Sequence, residues 1–229
     1  MGVLESLDDL LIYGTYPGII DLPVNEKRKK LVTLSGDYLF RDIYKFKQLR
    51  NPEILRKLLK ALALQIGSLV SLNELAALCG VSPVTVERYL DLLEKSFVIF
   101  KLGSFSSNLR NELKKSRKYY FYDNGIRNAV LNYFAPLDER QDKGALWENF
   151  CICEYLKFIE NQEIISNLFF WRSYDGAEID LVEERDGKIF AFEFKWQKSA
   201  GLPKSFPSKY QVAEFKVINR GNMNYFFNC

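Results

Sequence analysis

The chain has 229 residues, with 32 Lys+Arg against 29 Asp+Glu, a formal net charge of +3, and no histidine. Hydrophobic residues are 48% and charged residues 27%, a globular rather than disordered composition, in a length that suits one or two domains. Without imidazole there is no Ser-His-Asp or Cys-His catalysis, no His-ligated zinc or iron and no HNH-type nuclease chemistry, so acid–base or metal work falls to carboxylate, lysine and tyrosine.

Residues 5–13 and 24–49 are mostly helix-like, interrupted by the turn Gly14-Thr15-Tyr16-Pro17-Gly18. Beyond Asn51-Pro52, apolar residues from Ile54 to Ile66 recur at helical spacing. Ser71-Leu72-Asn73-Glu74 is a capping box for a short helix ending at Gly80, and Ser82-Pro83 starts another whose apolar face is Val86, Leu90, Leu93 and Phe97. Strand-like pieces follow at 97–102 and 118–122. This is the element order of a winged helix-turn-helix.

From Ala145 the pattern is a long amphipathic helix, then strand candidates at 167–172, 177–182 and 188–196, the last two joined through an Asp186-Gly187 hairpin signal. A helix near 210–214 and a strand at 215–219 close the unit. The expected architecture is therefore α/β (α+β). A helical segment (1–50) and a winged helix-turn-helix (51–125) precede a nuclease-like α/β domain (126–229).

Charge divides the chain further. Residues 1–136 carry net +6, residues 137–193 net −8 and residues 194–229 net +5. Cys79, Cys151, Cys153 and Cys229 form no C-x-x-C pair and read as reduced thiols packed as small hydrophobes. No run approaches the roughly 18 apolar residues of a membrane span, and no signal peptide is evident, so a cytoplasmic protein without a membrane partner is expected. Neither G-x-x-x-x-G-K-[ST] nor G-x-G-x-x-G occurs, so the chain has no nucleotide site of its own.

One constellation carries chemistry. Asp180 closes Gly176-Ala177-Glu178-Ile179-Asp180 on one hairpin strand, and Glu193-Phe194-Lys195 lies thirteen positions later on the next. Glu193 and Lys195 share a face, and Glu148 on the preceding helix is a further acidic candidate. Carboxylates at such a site suit Mg²⁺ or Mn²⁺, and a neighbouring lysine can orient a water or balance charge on a phosphate. A solvated edge strand with a salt bridge is the alternative, but two lone charges in the apolar run 191–196 are costly unless paired or functional.

Asp180, Glu193, Lys195 and Glu148 resemble the signature of the PD-(D/E)XK nuclease superfamily, with Ile179 where a proline often precedes the aspartate. That resemblance implies Asp180, Glu193 and Glu148 as metal ligands and Lys195 as the group assisting the water. A wider series includes Tyr13–Gly18, Tyr38–Ile43, Val81–Val86, Ser106-Ser107-Asn108, Lys118–Gly125 and Gly144–Asn149. Over about residues 7–196 this series is similar to the C-terminal part of a prokaryotic group of AAA-family ATPases. The resemblance implies a winged helix followed by a restriction-endonuclease-like domain. The family's P-loop domain has no counterpart here, so either the ATPase domain is missing by truncation or loss, or an ATPase domain or partner protein acts in trans.

Two functions follow as expectations. The first is a metal-dependent endonuclease acting on DNA. The second is a non-catalytic DNA- or protein-binding module that uses the same folds as scaffold. For phosphate contact the candidates are Lys101, Arg110, Lys114, Lys115, Arg117 and Lys118 in the wing, and Arg88 on the recognition helix. With Glu87, Asp91 and Glu94 around it, Arg88 sits on a poor major-groove reader.

Overall fold

Helix starts follow their capping residues. The computed structural model describes residues 6–38, 51–106, 116–197 and 200–223, and it divides into two compact units. The first comprises Met1–Lys101 with Tyr119–Asp142, the second Leu102–Lys118 with Lys143–Cys229. The segment 126–142, expected with the C-terminal domain, thus belongs to the first unit, and 102–118 belongs to the second.

In the first unit, α1 (Leu7–Tyr13), α2 (Pro17–Ile20) and α3 (Val24–Thr33) lead into a π-helical turn at Leu34–Tyr38. The long helix expected over 24–49 therefore ends as an α-helix at Thr33, and residues 39–50 lie outside the described ones. Asn51 accepts from the Glu53 N–H (3.0 Å) and caps α4 (Pro52–Leu64), which buries Leu55, Leu58, Leu59 and Leu62. Ser71 caps α5 (Leu72–Cys79), which ends at left-handed Gly80, and Ser82 caps α6 (Pro83–Lys95), burying Val86, Leu90 and Leu93. The two-residue β1 (Leu69–Val70) borders β3 (Arg117–Phe121), which borders β2 (Ile99–Ser104).

A polar joint ties α1 to α7 (Asn124–Leu131). Asp123 caps α7 by accepting from the Ile126 N–H (2.8 Å), and its second oxygen accepts from the Thr15 N–H (2.7 Å). Asn128 donates to the Ile12 carbonyl at 2.8 Å. Beyond α7, Arg140 forks onto both oxygens of Asp142 (2.8 and 2.9 Å), and Arg127 joins them. Those guanidinium groups hold the Asp142 carboxyl down at about 2 despite its burial.

In the second unit α8 (Lys143–Asn161) packs on a sheet that starts with the far end of β2. That end pairs parallel with β4 (Asn167–Arg172) through Gly103↔Phe169 and Ser104↔Phe170. β4 and β5 (Glu178–Arg185) are antiparallel, as are β5 and β6 (Lys188–Phe194). Asp186 and Gly187 both take positive φ (52° and 70°) in the connecting turn, as the Asp-Gly signal predicts. β7 (Val212–Ile218) runs parallel to β6 from Ile189↔Val212 to Phe194↔Ile218, which replaces the helix expected near 210–214. Pairing with β6 outweighs the weak helical pattern there, and Val212, Val217 and Ile218 suit a strand. Phe105, Trp171, Ile179, Val182, Ala191 and Phe206 form a core cluster, while Tyr155 of α8 packs on Phe192 at 5.5 Å. Cys79, Cys151 and Cys153 are buried free thiols. Among the described residues no helix is long and apolar enough to cross a membrane.

Candidate functional site

The centre lies in the second unit, where β5 meets β6. Opposite β4, Phe169 faces Val182 but Trp171 faces Ile179, so Asp180 and Leu181 together oppose the single residue Phe170. This is a β-bulge, which bends the strand and re-aims the side chains at it. Asp180 is 5% exposed, and its Oδ2 accepts from the Phe194 N–H (2.8 Å) and from Lys195 Nζ (3.1 Å). Glu193, 4% exposed, places Oε2 2.5 Å from the same ammonium. The Lys195 N–H is held by the Ile218 carbonyl of β7 (3.0 Å), which fixes the chain just beyond β6. Lys195 alone of the three reaches solvent, its side chain 34% exposed.

One ammonium thus faces two carboxylates in a poorly solvated place. Burial, then the charge of Asp180, pushes Glu193 up to about 7, against the pull of Lys195. Burial alone would lower Lys195, but Asp180 and Glu193 outweigh it and hold it above the ordinary lysine value. The centre therefore carries more negative charge than Lys195 neutralises. Two hard carboxylate oxygens with surplus charge fit one Mg²⁺ or Mn²⁺.

Glu148 meets an ammonium of its own. From α8 it places Oε1 3.4 Å from Lys118 Nζ, and Lys118 also ion-pairs with Glu178. Among the described residues no group of three or more carboxylates or thiols gathers as a metal ligand set. Glu148, expected as a third ligand, has the Lys118 ammonium beside it.

Lys118 is itself a correction. Expected at the wing surface as a phosphate contact, it is 1% exposed, its ammonium against Glu148 and Glu178. A lone lysine in the apolar run Lys118–Tyr122 carried the same signal as Glu193 and Lys195 in theirs: a charge that must be paired. Of the other phosphate candidates, Lys101 pairs with Glu94 at 3.7 Å, Arg88 is exposed on α6 and Arg117 is partly buried. Arg110, Lys114 and Lys115 lie outside the described residues. Sequence reasoning also passed over Glu183, which is fully buried on β5 and accepts from the Tyr155 hydroxyl at 2.7 Å.

Comparison with known proteins matches residues 4–137 to a domain of unknown function, DUF8612, and residues 143–228 to another, DUF4143. The division between them falls at the same place as the junction between Asp142 and Lys143. Uncharacterized proteins of Mycobacterium tuberculosis and Mycobacterium bovis are each 30% identical over 160 residues, which is 68% of this chain and 35% of theirs. An uncharacterized protein of Haemophilus influenzae is 27% identical over 124 residues, 52% of this chain and 31% of its own. The chain thus spans about a third of the length of these relatives. No solved structure matches it.

Proposed function

The chain belongs to the family of the domain of unknown function DUF8612, and we propose that it associates with nucleic acid and cleaves phosphodiester bonds at the Asp180–Glu193–Lys195 centre. In this reading α4–α6 with β2 and β3 form a winged helix, and the second unit is a restriction-endonuclease-like fold. The observation that carries the reading is the single ammonium held between two buried carboxylates on adjacent strands, with a bulge at the aspartate. Asp180 near the start of β5 and Glu193 near the end of β6 support it, with the Lys195 side chain 34% exposed.

Asp180 and Glu193 would hold Mg²⁺ or Mn²⁺, which when bound supplies Lewis acidity to the phosphate and a more acidic water. The chain's own contribution is orientation. The Phe194 N–H and Lys195 Nζ fix Asp180 Oδ2, and β7 fixes the Lys195 backbone. Lys195 can donate from Nζ to the attacking water or to a phosphate oxygen as charge develops there. The basic segments flanking the acidic one supply phosphate contacts on DNA. An ATPase partner, if one acts here, does so from outside these residues, which carry no P-loop pattern.

Supercoiled plasmid nicking tests this. Mg²⁺- or Mn²⁺-dependent nicking is expected, falling by about 10²-fold or more in Asp180→Ala and in Lys195→Ala. Intact plasmid with every divalent metal would reject cleavage and leave the non-catalytic binding module.

A further inference from the structure

Beside the Asp180–Glu193–Lys195 centre lies a second group of charges that the proposed cleavage does not use. Lys118 is buried, and its ammonium meets Glu178 of β5, Glu148 of α8 (3.4 Å) and the face of the Phe170 ring (5.4 Å to its centroid). Glu178 stands two residues before Asp180 on the same strand. Burying a lone lysine is costly, and here the carboxylates more than repay it. Burial would lower Lys118, yet Glu148, Glu178 and Asp180 hold it above the ordinary lysine value.

An ammonium and a divalent cation make similar demands of a site: both exchange water for carboxylate oxygen. With Glu193 pushed up to about 7, the carboxylates of Glu148, Glu178, Asp180 and Glu193 carry between three and four negative charges near neutral pH, and Lys118 and Lys195 return two. Arg172 also touches Glu178 (3.2 Å), but from an exposed position where solvent screens it. The remainder, between one and two negative charges, leaves room for one divalent ion and not for two.

We propose that Lys118 is a built-in cation, filling the place where Glu148 and Glu178 would otherwise gather a second divalent ion, so that the centre takes a single ion at Asp180 and Glu193. Glu148 is then the counter-ion of Lys118 and not a metal ligand. The inference rests on the proposed function for the first ion, and adds the number of ions and the role of Lys118 and Glu148.

Mn²⁺ counting by electron paramagnetic resonance on the full chain, with circular dichroism as a check of folding, tests it. The wild type should bind one Mn²⁺ per chain. Glu148→Gln should keep that ion with affinity changed by no more than about threefold, whereas Asp180→Asn should weaken it by about tenfold or more. Lys118→Met, where it folds, should gain a second ion and be stabilised by Mn²⁺ more than the wild type is. Should Lys118→Met not fold, the contrast between Glu148→Gln and Asp180→Asn decides alone. Two ions in the wild type, a Glu148→Gln loss as large as that of Asp180→Asn, or a folded Lys118→Met that still binds one ion would overturn this inference and leave the nicking activity standing. A wild type that binds no Mn²⁺ would overturn both.

Discussion

Glu193 is the residue at which pH should act first. Its carboxyl titrates near 4.5 in an unfolded chain but at about 7 in the folded one, because burial and Asp180 favour the protonated form. Between those values the folded state binds more protons, so its contribution to stability is complete below about 4.5 and is lost as pH rises through 7. Glu193→Gln keeps the shape and abolishes the titration. Urea denaturation at pH 4.5, 6 and 8 should show the variant gaining on the wild type by on the order of 1 kcal/mol across the window. Asp142, held down at about 2, works in the opposite sense below pH 4 and cancels between the two proteins. Equal differences at all three pH values would show that Glu193 is ordinary. The Asp180, Glu193 and Lys195 triad was legible because its spacing lies within one hairpin. Its neighbour Lys118 was not, since the carboxylates that bury it come from β5 and α8, 60 and 30 positions further along the chain. Nor was the bulge at Asp180, which only the pairing with β4 creates.

At the scale of elements, two glycines explain why the turn after α1 and the start of α7 look distinctive in sequence. A Cβ at Gly125 would lie 2.1 Å from the Tyr13 carbonyl oxygen and 2.9 Å from Asp123 Oδ1. Gly14, at φ +77°, leaves a Cβ no more room, 2.2 Å from Asp123 Oδ1. The two backbones approach this closely so that Asp123 can cap α7 and accept from Thr15 at once. Gly125→Ala must push α1 away and break that joint, and should cost about 3 kcal/mol in chemical denaturation. A loss under about 0.5 kcal/mol would mean that the approach relaxes without consequence. Helix starts at Asn51, Ser71 and Ser82 were readable because a cap is decided within three residues. The strand at β7 was misread near its start because its partner β6 is separated from it by the loop after Lys195, and single-segment periodicity carries no record of a parallel neighbour.

For the whole molecule, the boundary between the two matched domains hides a dependence that runs across it in sequence. The second unit takes Leu102–Lys118 as well as Lys143–Cys229. From that earlier segment come the β2 residues that pair with β4, the ring of Phe105 in the core cluster, and the ammonium that answers Glu148 and Glu178. A fragment of residues 143–229 keeps β4–β7 and loses these three. It also keeps all three tryptophans, Trp147, Trp171 and Trp196, so fluorescence reports on this unit alone. Loss of the Lys118 partner of Glu148, an exposed β4 edge and a cavity where Phe105 packed each cost roughly 1–5 kcal/mol, together comparable with the whole stability of a domain this size. Tryptophan fluorescence of 143–229 should therefore change gradually with urea, without the cooperative transition of the full chain. A sharp transition near the full chain's midpoint would instead make 102–118 a covering segment, and the charge of Lys118 dispensable to the fold.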